Sequence, residues 1–168
     1  MTTSGFRVRK IDTMLRAALN FIRSPINRSK MTFWTAKIER IISSPPGSDD
    51  GFSSESIARN AKVTFLKMST WAIVCEEMVD TQRPRIYFGQ ARDELRRRGI
   101  DDVEYMAMRR FAWLTAGWLN FEMMLWDWCG LDEQDIYRAI DWQFTDGWIS
   151  ADERDRRKEY ARRYDRAD

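Results

Sequence analysis

From Ala107 to Trp128 the apolar side chains alternate steps of four and three: Ala107, Phe111, Leu114, Trp118, Phe121, Leu125 and Trp128, with Met106, Trp113 and Met124 widening the stripe. Only a 3.6-residue turn returns such positions to one face, so the spacing predicts a helix. Inside it lies WLNFEMMLWDWCG, residues 118–130. A helix apolar over most of its circumference either crosses a membrane or sits in the middle of a bundle. A span needs about 20 apolar residues. Residues 111–126 are broken by Asn120 and Glu122, with Arg109, Arg110 and Asp127 just outside. The pattern therefore predicts no membrane segment but an all-α, single-domain bundle of about six or seven helices over residues 1–168, around a Trp/Met-rich central helix at about 102–129. Glu122 either lies on a wet edge of that helix or meets a cation from the N-terminal region.

The rest of the chain carries the same spacing and little strand signal. Ile11, Leu15, Ala18 and Ile22 line a first helix that Ser24-Pro25 ends, and Met31, Trp34, Ile38 and Ile41 line a second. SSPPGSDDG predicts a flexible loop over 43–53. Ile57, Ala61, Phe65, Met68, Ala72, Cys75 and Val79 predict one long helix over 54–81. The next helix lies between Pro84 and Gly99 with Ile86, Ala91 and Leu95 inward and Arg96, Arg97 and Arg98 at its outer end. Asp101 with Glu104, Asp132, and Ser150 with Glu153 are start signals for later helices. The last, charged helix over 151–168 carries pairs such as Glu153 with Arg157 and Glu159 with Arg163, plus Tyr160 and Tyr164 one turn apart. So few of its residues are apolar that it is expected to project or fray.

The net charge of +2 conceals an uneven layout. Residues 1–44 hold nine Lys/Arg against two Asp/Glu, whereas residues 101–150 hold three against ten. Either the two ends neutralise one another or they offer charged surfaces to partners. Two cysteines in no metal spacing and no N-terminal apolar run predict free buried thiols and a cytoplasmic protein.

Catalytic parts are missing. The chain contains no histidine, which removes the usual general base, a haem or metal box and the Glu-x-x-His repeat of di-iron bundles. It has no glycine-rich phosphate loop. These gaps predict a non-enzyme without cofactor or metal, acting by binding. Its acidic residues Asp101, Asp102, Glu104, Asp132, Glu133, Asp135, Asp141 and Asp146 could present a phosphate-like array to a basic groove. That layout points to an accessory or inhibitory factor that docks on a nucleic-acid-handling protein complex, of the kind phages and mobile elements carry.

A different partner is implied by ESIARNAKVTFLKMSTW, residues 55–71. Ile57, Ala58, Ala61, Val63, Met68 and Trp71 fall where a helix-turn-helix has its small and apolar residues, and the stretch resembles that signature of bacterial and phage regulators. The resemblance covers about a tenth of the chain and departs at Lys62, where the motif prefers glycine. It implies DNA binding, with Thr64, Phe65, Lys67 and Thr70 on a recognition helix and Arg59 and Lys62 near phosphates. A structural homodimer formed through the heptad stripe is the third reading.

Overall fold

Side-chain caps fix where four of the described helices begin. Ser69 accepts the Ala72 N–H, Asp101 the Glu104 N–H at 2.8 Å and Ser150 the Glu153 N–H, while Asp132 and Asp135 close a reciprocal capping box. Each satisfies a backbone donor that a helix start leaves open. Their ends are set by Gly99 and Gly147, whose positive φ values of 84° and 72° suit only a residue without a Cβ.

The computed structural model describes residues 28–43, 64–79, 83–121 and 130–165. Among them the order is α1 (Arg28–Ile42), α2 (Thr70–Cys75) with a 3₁₀ turn (Glu76–Met78), α3 (Arg85–Arg97), α4 (Asp102–Ala112), a π-helical segment (Trp113–Gly117), α5 (Trp118–Phe121), α6 (Glu133–Thr145) and α7 (Ala151–Arg162). No strand occurs among the described residues, and the fold is an all-α bundle. The first predicted helix, the loop after Ser43, the residues before Thr64, and Glu122 and Cys129 lie outside them.

The rod from α4 through α5 is the centre. Every residue from Phe111 to Asn120 is buried, and α1, α2, α3 and α6 all pack on it. Tryptophans reach out of this core to tie distant segments: Trp34 Nε1 donates to Trp113 O at 3.2 Å and Trp71 Nε1 to Ala161 O at 2.9 Å.

Five expectations change. The helix predicted over 54–81 is broken, because a turn at 66–68 and the Ser69 cap separate residues 64–65 from α2. Ile86 is exposed, and Tyr87, Phe88, Ala91 and Leu95 form the inner face of α3. Met106 is exposed too, since the buried residues of α4 are Tyr105, Met108, Arg109, Phe111 and Ala112. Finally, α7 does not project. It lies along α6 with Arg157 buried against Glu153 at 3.1 Å, and Tyr160 and Tyr164 meet edge to face and close over Trp71. The bond from Arg157 to Gln143 of α6 and an aromatic pair over Trp71 dock a helix that its apolar residues alone would leave loose, while Glu153 orients the guanidinium from within α7. Glu159 pairs with Arg162 instead of Arg163.

Candidate interaction surface

The predicted acidic array is divided between two ends of the bundle. At one end the starts of α2, α4 and α6 meet the end of α7: Ser69 donates to Glu133, Tyr164 to Glu104 at 2.6 Å, and Tyr137 to Asp165. Asp101, Asp102, Glu104, Asp132, Glu133 and Asp135 belong to this end. Asp141 and Asp146 belong to the far half of α6.

Most of these carboxylates are already engaged. Asp102 takes Arg92 at 2.8 Å and Arg96 at 3.0 Å, Asp135 takes Arg138 at 2.9 Å, and Asp141 takes Lys158 at 2.6 Å. Asp132 and Asp135 cap α6 as well. The two arginines hold the Asp102 carboxyl below its usual range. Among the described residues these cations come from α3, α6 and α7. Asp101 and Glu104 meet no cation among the described residues, for one caps α4 and the other accepts a phenol. Asp146 is exposed at the end of α6.

Beside Asp101 and Glu104 runs the outer face of α4. Val103 and Met106, one turn apart, are 53% and 40% exposed. Charged pairs lie near this apolar strip: Asp102, next to Val103, with Arg96 of α3, and Arg110, one turn after Met106, with Glu39 of α1 at 2.8 Å. An exposed apolar centre with a polar rim is the general anatomy of a protein contact surface, and methionine is among the residues enriched there. Apolar spacing along the chain does not single it out. Positions 103, 106 and 110 step by three and four, the signal that could have revealed a second face, but the larger residues of the buried stripe overlap them.

The helix-turn-helix residues are arranged differently from what the resemblance implies. Thr64 and Lys67 are exposed, whereas Phe65 is fully buried against Tyr87 and Thr70 is buried at the start of α2. Arg98 locks this turn by donating to Phe65 O at 2.9 Å and to Thr70. A recognition helix needs those four on one continuous exposed face, and the turn after Phe65 breaks it. Arg59 and Lys62 lie outside the described residues.

The densest polar chemistry is internal. Glu77, in the 3₁₀ turn after α2, receives Arg109 Nε at 2.7 Å and Trp113 Nε1, and Arg109 also donates to Ile42 O at 2.8 Å. Burial pushes the Glu77 carboxyl up, and the Arg109 guanidinium pulls it back. Every group there is used to join α1, the 3₁₀ turn and α4. Burial and four nearby carboxylates push the thiol of Cys75 up, well away from reactivity. Among the described residues no three His, Cys, Asp or Glu side chains are set to hold a metal ion, and no helix is long and apolar enough to cross a membrane. No protein-family model, curated protein or solved structure matches the chain.

Proposed function

We propose that this protein works by binding another protein, without catalysis, and that the outer face of α4 is the contact. The observation that carries the reading is the exposed pair Val103 and Met106 beside two carboxylates, Asp101 and Glu104, that no cation neutralises among the described residues. Its occupant is a segment of a partner carrying basic and apolar side chains together, the kind of surface found on proteins that handle nucleic acid. Apolar burial supplies affinity and the carboxylates supply register and steering. Of the acidic array predicted from sequence, this reading keeps Asp101 and Glu104, while Asp102 is taken by Arg92 and Arg96.

The test is affinity capture from the native host with nuclease present, comparing wild type with Val103→Glu/Met106→Glu and with Asp101→Asn/Glu104→Gln, which removes both charges but keeps a cap for α4 and an acceptor for Tyr164. The reading expects a partner that wild type retains, both variants lose, and rising salt weakens. A captured set that is the same for all three forms refutes it. So does a second copy of this chain as the sole occupant, seen as a dimer by sedimentation. Retardation of duplex DNA that Lys67→Glu abolishes would count against it equally and favour the turn at 64–70.

A further inference from the structure

The central rod contains a π-helical segment, Trp113–Gly117, and two of its backbone carbonyls are held by side chains from elsewhere. Trp34 of α1 donates to Trp113 O, and Gln143 of α6 donates to Leu114 O at 2.7 Å. Gln143 is wholly buried, and its other amide atom, Oε1, accepts from Arg157 of α7. Arg157 is buried in turn and fixed by Glu153. A chain of donors and acceptors therefore runs from α7 through α6 to the wide turn in the rod.

We infer that the docking of α7 and the π register of residues 113–117 are one two-state element: α7 in place holds the wide turn, and its release lets the rod rewind as α-helix. Three features support it. A π turn inserts one residue into an α-helix and is rare because its backbone packing is poorer, so something outside the helix must favour it. The register has a visible cost, since Trp118, fully buried, has an indole N–H with no acceptor. And α7 is held mainly by polar and aromatic contacts that can be lost together, Arg157 to Gln143, Lys158 to Asp141, Trp71 to Ala161 O and the half-buried tyrosines, with Ala161 the one buried apolar residue of the helix.

Without Arg157, water reaches the Gln143 oxygen and nothing fixes which end of the carboxamide faces Leu114. Losing the extra residue of the turn rotates every later residue of the rod by about 100° around its axis. That swing would take Trp118 out of its present site and break the bond from Asn120 to Met78 O. The switch would therefore be all-or-none, because packed cores have discrete arrangements.

Native-state amide exchange of the full chain in low denaturant tests this. The amides of 113–118 and those of α7 should open together, with one dependence on denaturant, before α1 and α3 do. Arg157→Met should raise exchange in both segments by about tenfold or more, the change expected from losing a hydrogen bond to a charged group. Gln143→Glu keeps an acceptor for Arg157 and removes the donor to Leu114 O, so it should speed exchange at 113–118 while α7 stays protected. Protection at 113–118 that persists while α7 exchanges overturns the inference, as does a uniform rise over every helix. If Arg157→Met fails to fold, the wild-type exchange profile decides alone.

Discussion

Replacing Arg109 by methionine tests whether the core is organised around one buried charge pair. The substitution keeps length and apolar stem, yet strips Glu77 of its cation and leaves the Ile42 carbonyl without its donor. Removing one partner of a buried pair costs about 3–5 kcal/mol, because the remaining charge stays out of water. At an m-value of about 2 kcal/mol per molar urea, the midpoint should fall by roughly 2 M. The loss should also depend on pH. Burial already raises the Glu77 carboxyl above its ordinary value, and Arg109 is the main force opposing that rise, so in the variant the folded-state pKa climbs further. Between the unfolded and folded pKa values the native state then holds more protons than the unfolded one, and stability must fall as pH rises. Urea melts followed by circular dichroism at about pH 5 and about pH 8 should therefore show the larger deficit at the higher pH. Adding Glu77→Gln should restore part of the loss and remove its pH dependence. A single variant that loses less than about 1 kcal/mol, or loses the same amount at both pH values, would refute the assignment.

Gly117→Ala should destabilise the protein by about 1–3 kcal/mol despite alanine's better helix propensity, because its Cβ would meet Trp113 Cε3 at 2.7 Å on a ring pinned by Glu77 and stacked on Phe121; thermal melts check this. Ser150→Ala should cost about 1 kcal/mol by the same melts through loss of the α7 cap, and limited proteolysis should then cut within α7 first. Glu94 is held down to about 2 by Arg97 and Arg98, so its contribution is present above the unfolded carboxylate pKa and disappears as pH falls toward the folded value. Acid titration of Glu94→Gln should show a shallower loss of stability over that range than wild type.

The all-helical fold could be read from apolar spacing because helix periodicity is a local property. Caps were equally legible: Asp101, Asp132 and Ser150 start their helices as expected. What failed was the choice between overlapping faces. Phe111 and Leu114 of the predicted stripe are buried as expected, but Tyr105, Met108 and Ala112 also step by three and four, and only tertiary packing shows that they too face inward while Ala107 is half-buried. The inserted π turn then shifts the phase, a step no regular period reveals. The break before α2 was hidden for a related reason. Met68 and Ala72 keep the helical step across it, while Ser69 supplies a cap that a continuous pattern gives no cause to notice. The candidate surface was half legible. Asp101, Asp102 and Glu104 were named for their charge, but Arg92 and Arg96 lie on another helix, and a charge count along the chain cannot see which carboxylates they neutralise.

Aromatic content alone does not specify a fold, since large apolar side chains pack in many ways. Here the indoles are directional. Trp34, Trp71 and Trp113 each send the N–H to one oxygen on a segment 79, 90 and 36 residues away in the chain. A misplaced helix would leave that donor buried and unsatisfied, so each bond penalises the alternative arrangements more than it stabilises the native one. Two arginines act likewise: Arg109 reaches the carbonyl at the end of α1, and Arg157 reaches Gln143. Trp118, by contrast, is fully buried just after the wide turn with no acceptor for its indole N–H. A fully buried indole N–H left unmatched beside the segment where the helix register is least regular marks the place where a second conformation would cost least.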